Sequence, residues 1–171
     1  MDKIIIRSEQ KSDIATIYQI NELAFKQPQE GRLVDTLRKK GVETISLVAS
    51  LDNMLVGHCL FTPVTVEEGS HVVESIALGP VAVLPDYQGQ GIGAKLIRAG
   101  LEKCRQAGYE AVFVLGHRAY YPRFGFQPTQ QFDIRCEFDV PPDLFMAVEL
   151  QPDALATVQG VVTYHPEFKN V

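Results

Sequence analysis

A glycine-rich segment between an apolar run and an amphipathic stretch constrains this chain more than any other feature. The segment consists of Gln88, Gly89, Gln90, Gly91, Ile92 and Gly93. Glycine lets a backbone approach an anion closely, and the amino end of a helix presents unpaired N–H groups and a positive dipole end. The pattern therefore predicts an anion-binding turn. The alternative is a tight strand-to-helix turn in which the glycines only permit close packing.

The elements around this segment predict a strand–helix–strand unit. Apolar residues recur at helical spacing, at positions 92, 96, 97, 101 and 104, until Gly108 ends the helix. Residues 81–83 before the segment and residues 111–115 after the helix are apolar and strand-like. Two strands joined by such a crossover are expected to be parallel neighbours.

The rest of the chain predicts a largely antiparallel sheet with a few helices. Ser12 is the predicted N-cap of one helix, and a second follows Pro28 and ends at Gly41. Strand-like runs cover residues 45–50, 55–66 and 72–83, with Asp52-Asn53 as a hairpin turn and Gly79-Pro80 as a bulge or splayed edge. A short helix at 120–124 and further strands at 144–150 and 160–164 complete the prediction.

Composition restricts the class of protein. With 171 residues, 46% of them hydrophobic, the chain suits one domain, and a net charge of −5 disfavours a general nucleic-acid binder. The sequence shows no membrane-spanning run. Three widely spaced cysteines without a CxxC pair favour a reduced, cytoplasmic setting. His58, His71 and His165 have no metal-ligand spacing with Cys or acidic partners, so we predict no metal.

The glycine segment resembles a known signature once its neighbours are included. The alternating glycines do not match the dinucleotide-binding GxGxxG, and no GK[ST] follows. Instead, Gln88-x-x-Gly91-x-Gly93 after an apolar strand resembles the [RQ]-x-x-G-x-[GA] motif of the GNAT superfamily of N-acetyltransferases. Downstream, the run YYPRFGF at residues 120–126 is similar to that family's second motif. The strings VLG, YYPRFGF and FMAVEL further resemble the YhbS-type group of this superfamily.

The resemblance implies a fold, a domain organisation and a cosubstrate. The fold would be α/β, a GNAT-like mixed and largely antiparallel sheet of about seven strands, splayed at the cofactor site and flanked by about four helices. Residues 1–171 would form a single domain. The cosubstrate would be acetyl-CoA, with the pantetheine arm along Val81, Ala82 and Val83 and the pyrophosphate on the backbone of residues 88–93. The N–H of Val83 would also polarise the thioester carbonyl.

The general acid and the acceptor-binding residues follow from the same resemblance. Tyr121 occupies the position of the general acid that protonates the departing thiolate, with Tyr120 as its immediate competitor. The base does not follow from the resemblance: a carboxylate, a histidine or a chain of waters could take the proton of the amine. Glu74, near the start of the strand that leads to the cofactor, is the best placed carboxylate, and a solvated strand residue is the alternative. The family often has an asparagine where this chain has His117, which either contacts substrate or is an ordinary loop histidine. Phe25 and Glu30 would contribute to the acceptor pocket, or else pack on helix surfaces.

These features together predict transfer of an acetyl group from acetyl-CoA to a primary amine by direct attack in a ternary complex. The acceptor would be a small molecule or a protein amine, and the chain would be a monomer or a homodimer. The competing interpretation is a non-catalytic acyl-CoA sensor or partner-binding module on the same fold, because a fold does not determine a function.

Overall fold

The structure is a computed structural model that describes residues 3–171. Within this range it contains three α-helices and nine strands, seven of which have four residues or more. The helices are α1 (Ile14–Phe25), α2 (Gln29–Lys39) and α3 (Ile92–Gln106). The strands are β1 (Ile4–Ser8), β2 (Ile45–Leu51), β3 (Met54–Glu68), β4 (His71–Val83), β5 (Ala111–Leu115), β6 (Gln127–Pro128), β7 (Ile134–Cys136), β8 (Phe145–Glu149) and β9 (Gly160–Thr163).

The chain divides into two compact units that share three elements. The first unit comprises the chain up to Phe61, residues 79–100 and residues 166–171, and the second comprises residues 62–78 and 101–165. The long strands β3 and β4 and the helix α3 each contribute residues to both units.

In the first unit, β1, β2, β3 and the end of β4 are successive neighbours in the sheet. The β1–β2 and β2–β3 pairs are antiparallel, as the sequence predicted. Asp52 and Asn53 join β2 to β3 with φ values of 52° and 67°. Positive φ at both central residues is the geometry of a two-residue hairpin turn, so this prediction is confirmed.

The apolar face predicted for α2 lies in the core of the first unit. Leu33, Val34 and Leu37 are buried in one cluster with Ile17 of α1 and with residues of β2 and β3. The helix ends before Gly41, whose φ of 69° lies in the left-handed region that favours glycine. Helical periodicity therefore identified both the helix and the side that it buries.

The start of α1 differs from the prediction. Ser12 is not the N-cap, because it lies inside a 3₁₀ turn (Lys11–Asp13) that precedes the helix. Asp13 accepts a hydrogen bond from the Gln10 N–H at 2.7 Å and pairs with both terminal guanidinium nitrogens of Arg7. The hydrogen bonds from Arg7, opposed by burial and assisted by the Gln10 N–H, lower the pKa of the Asp13 carboxyl. The Asp13 carboxylate, held by Arg7 of β1, thus connects the 3₁₀ turn back to Gln10, and within the described residues no side-chain hydrogen bond caps the first turn of α1.

A buried polar chain links α1 to the sheet of the first unit. Ser46 lies 2.5 Å from Glu9 Oε1 and 2.9 Å from His58 Nε2, and its one hydroxyl hydrogen goes to the carboxylate. His58 therefore donates from Nε2 to Ser46 and accepts at Nδ1 from the Asn21 amide, 3.1 Å away. Burial lowers the pKa of His58 to about 4, so the neutral ring is the form that this arrangement holds.

In the second unit, β4 and β5 form the predicted parallel pair. Ile76, Ala77 and Leu78 pair with residues 112–114, and the pairing stops directly before Gly79-Pro80, which is a cis peptide bond. Beyond β5 lie β8 and β6, while β3 pairs with β9 and β9 with β7. The predicted short helix at 120–124 is a 3₁₀ turn, Tyr121–Phe124, ended by Gly125 with a φ of 95°.

Candidate active site

The last residues of β4 direct alternate backbone groups away from the neighbouring strand. The N–H of Leu84 donates to Val56 O of β3 at 2.9 Å. Because backbone groups alternate along a strand, those of Ala82 also face β3 and those of Val81 and Val83 face the other way. The side-chain amide of Gln88 donates to Val83 O at 2.9 Å, which places that carbonyl on the side away from β3.

This use of Gln88 was not foreseen from the sequence. The Gln88 amide connects the glycine segment to the end of β4. An amide nitrogen has two hydrogens, so one of them is engaged with Val83. No local pattern in the sequence indicates that Val83 is the acceptor.

Backbone conformation accounts for two of the three glycines. A 3₁₀ turn, Pro85–Tyr87, follows β4, and Gly89 and Gly91 then have φ values of 77° and 82°. A Cβ built at either position would have no atom within 4 Å, apart from the chain neighbours. Protein crowding therefore does not explain these glycines. The left-handed backbone does, and the space next to it is open.

The amino end of α3 supplies unpaired donors beside this open space. The first helical bond runs from the Lys95 N–H to Gly91 O at 3.1 Å. The N–H groups of Ile92, Gly93 and Ala94 therefore have no acceptor within the helix. The Ile92 side chain is buried at 2% exposure, so this residue offers only its backbone, while Gln90 is exposed. The geometry is that of an anion site at a helix amino end.

Tyr121 lies in an aromatic cluster of the second unit. Its ring is perpendicular to those of Tyr120 and Phe126, with centroids 5.2 and 5.7 Å away, and it lies 6.4 Å from Phe124. The competitor Tyr120 has a different environment, because the Arg123 guanidinium covers its ring 4.4 Å from the centroid. Tyr121 itself is partly buried.

The other second-unit candidates, His117 and Glu74, lie in different surroundings. The carbonyl of His117 accepts from the N–H groups of Tyr120 and Tyr121, at 3.0 and 3.3 Å, and its side chain is exposed. Glu74 is also exposed and lines a cavity of about 360 Å³ together with Ser75, Tyr109 and Glu110. In the parallel register Ile76 pairs with Val112, so Glu74 lies beside the start of β5, whereas His117 and Tyr121 follow the end of that strand. The structure therefore places His117, but not Glu74, next to Tyr121.

The two predicted acceptor-pocket residues of the first unit lie at the α1–α2 junction. Phe25 is the last residue of α1 and is 36% exposed. Glu30 is buried in the first turn of α2, where both carboxylate oxygens accept from the Gln27 amide at 3.0 and 2.9 Å. The Gln27 amide thus holds the Glu30 side chain in a fixed position at the start of α2.

Cysteine and metal chemistry find no support in the described residues. Cys59 and Cys104 are buried, and burial raises the pKa of the Cys104 thiol to about 12. Burial also raises the pKa of Cys136, so neither Cys104 nor Cys136 has the lowered pKa of an activated nucleophile. Among residues 3–171, no three His, Cys, Asp or Glu side chains are grouped so that they could hold a metal ion. In the same range, no helix is long and apolar enough to cross a bilayer.

Comparison with known proteins identifies relatives along almost the whole chain. The chain is 35% identical over 166 residues to the uncharacterized N-acetyltransferase YhbS of Escherichia coli K12, covering 96% of this chain and 98% of YhbS. It is 42% identical over 120 residues to the uncharacterized N-acetyltransferase YjhQ of the same strain, covering 69% and 66% of the two chains.

Solved structures agree with this result. The crystal structure of Escherichia coli YhbS in complex with CoA matches with a TM-score of 0.92 at 34% identity, over 98% of this chain and 92% of that one. A GNAT-family acetyltransferase from Brucella melitensis in complex with acetyl-CoA matches with a TM-score of 0.78 at 38% identity, over 97% and 98%. A family model described as an acetyltransferase (GNAT) domain matches residues 5–129. With its mixed sheet, its glycine turn and these relatives, the chain belongs to the GNAT family of acetyltransferases.

Proposed function

We propose that this chain is a single-domain N-acetyltransferase that transfers the acetyl group of acetyl-CoA to a primary amine by direct attack in a ternary complex. The observation that carries the proposal is the open, left-handed turn at Gly89 and Gly91 before the unpaired N–H groups of α3. The complexes of two relatives with CoA and acetyl-CoA support the choice of ligand. A cytoplasmic location is part of the proposal, and the free cysteines are compatible with a reducing compartment.

The pyrophosphate is assigned to residues 88–93. Its charge would be neutralised by the dipole and the N–H groups at the amino end of α3, where an anion is stabilised without a charged side chain. Gly89 and Gly91 leave room for phosphate oxygens to approach the backbone, since nothing lies within 4 Å of a Cβ at either position. Gln90, Ile92 and Gly93 take part through their backbone.

The pantetheine arm is assigned to the end of β4. Val81 and Val83 turn their backbone groups away from β3, so an extended chain with amides could pair with them as a further strand does. Ala82, between them, would pair with β3 instead of with the pantetheine arm. The Val83 N–H would polarise the thioester carbonyl as negative charge develops on its oxygen.

The transfer itself needs one proton to be supplied and one to be removed. The amine nitrogen attacks the thioester carbon, the carbon–sulfur bond breaks, and the thiolate takes a proton from the Tyr121 phenol. The amine loses its proton to a base, for which Glu74 is the candidate, acting directly or through water. Glu74→Gln should lower kcat and leave the KM for acetyl-CoA unchanged, whereas an unchanged kcat would assign this proton to solvent.

Charge favours a cationic acceptor. Residues 62–78 and 101–165 contain eleven acidic and five basic side chains, whereas the rest of the chain contains ten acidic and eleven basic ones. The net negative charge of the protein thus belongs to the unit that holds Tyr121 and His117. Such a surface attracts an amine that arrives protonated. The buried side chain of Glu30, five residues after Phe25, is the corresponding candidate in the first unit.

Calorimetric titration with acetyl-CoA and with CoA tests the binding half of the proposal. We expect saturable binding that Gly91→Glu lowers by at least about tenfold, because a carboxylate there repels the pyrophosphate. Gly41→Glu is the matched control, since Gly41 also has a left-handed φ and open space around a Cβ. An equal loss in both variants, or no binding by the native protein, would refute the site.

Release of free thiol from acetyl-CoA, measured across a panel of amines and lysine peptides, tests the catalytic half. We expect turnover with at least one amine and a loss of kcat in Tyr121→Phe. Tight CoA binding without turnover on any acceptor would favour the non-catalytic acyl-CoA sensor. Full kcat in Tyr121→Phe at all pH values would remove Tyr121 as the acid.

A further inference from the structure

The residue after β5 lies against the ring of Tyr121. A Cβ built on Gly116 would be 2.3 Å from Tyr121 Cε2, 3.0 Å from Cδ2 and 3.3 Å from Cζ. The first distance is far below any van der Waals contact between carbon atoms. Cε2 is bonded to the ring carbon that carries the hydroxyl, so the contact is at the functional end of the side chain. Gly116 therefore provides the space in which this end of the ring lies.

Backbone conformation does not account for this glycine. Its φ lies outside the left-handed region, unlike those of Gly89 and Gly91, so an alanine fits the backbone torsions at this position. The N–H of Gly116 donates to Leu144 O at 2.9 Å, which holds the backbone in place. A methyl group added here would therefore displace the Tyr121 ring more readily than it displaces its own backbone.

The surroundings of Tyr121 limit where the ring can go. Phe126, Tyr120 and Phe124 contact it, and Phe126 is 1% exposed. Relieving the 2.3 Å contact to an ordinary 3.4 Å requires a shift of about 1 Å. A misplacement of about 1 Å in a reacting group costs up to about a hundredfold in rate.

We infer that Gly116 is a positioning residue for the reaction: its missing side chain sets the place of the Tyr121 hydroxyl relative to the departing sulfur. The inference rests on the proposed role of Tyr121 as the general acid. It assigns to Gly116 no contact with either substrate, so its effect must pass through Tyr121.

The first test compares the native enzyme with Gly116→Ala, Tyr121→Phe and the double variant, using acetyl-CoA and the best amine from the panel. We expect Gly116→Ala to lower kcat by about 10- to 100-fold while the KM for acetyl-CoA changes by less than about twofold. In the Tyr121→Phe background the same substitution should lower kcat by less than about twofold, because the hydroxyl is already absent. A native kcat in Gly116→Ala, or losses that multiply in the double variant, would overturn the inference.

The second test needs no acceptor. Protein labelled with 3-fluorotyrosine should give fluorine resonances from its six tyrosines, and Tyr121→Phe identifies the one from Tyr121. Gly116→Ala should move the Tyr121 resonance most, followed by that of Tyr120. An unmoved Tyr121 resonance would refute the steric argument whatever the kinetics show.

The outcomes separate this inference from the proposed function. Full kcat in Tyr121→Phe removes the acid role and the positioning role with it. A reduced kcat in Tyr121→Phe with a native kcat in Gly116→Ala removes the positioning role alone. Should Gly116→Ala fail to fold, Phe126→Leu removes another ring partner of Tyr121 and is expected to lower kcat only when the Tyr121 hydroxyl is present. An equal loss with and without that hydroxyl would then overturn the inference.

Discussion

The buried His58 should make the stability of this protein depend on pH in a narrow window. The ordinary pKa of histidine is 6.5, and burial lowers that of His58 to about 4 in the folded protein. Between these values the unfolded chain binds a proton that the folded protein does not bind. The contribution of the buried neutral imidazole to the free energy of unfolding is therefore fully present above about pH 6.5 and is lost as the pH falls towards 4.

The charged groups around His58 act in opposite directions. The Glu9 carboxylate favours the imidazolium, while Arg38, which pairs with both Glu9 and Asp35, disfavours it. Partial burial opposes ionisation of Glu9, but hydrogen bonds from Arg38 and Ser46 outweigh it and lower the pKa of this carboxyl. Glu9 therefore stays ionised between pH 7.5 and 5, the range in which His58 determines how stability changes with pH.

The expected loss follows from the two pKa values. At pH 5 the proton uptake of the unfolded chain lowers the free energy of unfolding by about 2 kcal/mol relative to pH 7.5. The limiting slope is about 1.4 kcal/mol per pH unit. Carboxyl groups such as Glu9 and Asp13, with lowered pKa values, lose their stabilising effect only at lower pH.

Urea denaturation at several pH values between 7.5 and 5 measures this slope for the native protein, His58→Gln and His71→Gln. His58→Gln should be less stable at pH 7.5, and its deficit should shrink by about 2 kcal/mol at pH 5. His71 is exposed at the start of β4, so its variant should follow the native curve. Parallel curves for the native protein and His58→Gln would refute the assigned burial of a neutral imidazole.

Two substitutions test the packing and the capping of the first unit. Gly100→Ala places a Cβ 2.1 Å from Phe61 Cε1, so we expect a loss of roughly 1–3 kcal/mol in urea denaturation that Phe61→Leu partly restores. No loss in Gly100→Ala would show that the ring is free to move. Asp13→Ala removes the acceptor of Arg7 and of the Gln10 N–H, and should cost about 1–2 kcal/mol, most of it from the cap. If Arg7→Ala alone costs as much as Asp13→Ala in the same assay, the capping argument is wrong.

Sequence patterns identified those parts of the fold that depend on local chemistry. The hairpin at Asp52-Asn53 follows from two adjacent residues, and the parallel pairing of β4 with β5 follows from the general rule for a strand–helix–strand crossover. Both predictions are confirmed. The family was identified for the same reason, because its two motifs are short and contiguous.

Long-range pairing decided the features that sequence analysis missed. Ser12 is a good N-cap by residue type, yet Asp13 caps the 3₁₀ turn here, because Arg7 of β1 is next to it in space. The sequence did not indicate the role of His58, because its hydrogen-bond partners Ser46 and Asn21 are 12 and 37 residues away. The contact of Gly116 with Tyr121 likewise depends on how the chain turns after β5.

The glycines of this chain show why residue type alone does not reveal a role. At Gly89 and Gly91 the backbone is left-handed and the surroundings are open, so a side chain would strain the backbone and occupy the space proposed for phosphate. At Gly100 and Gly116 the backbone accepts alanine, and the restriction comes from one aromatic ring in each case. Replacing Phe61 by the smaller leucine should therefore restore stability to Gly100→Ala. No substitution of a neighbour can relieve Gly91→Ala, because the strain lies in the left-handed φ of residue 91 itself. The sequence does not distinguish these two kinds of glycine. A substitution of the neighbouring ring can compensate for an alanine at one kind, and no second substitution can compensate at the other.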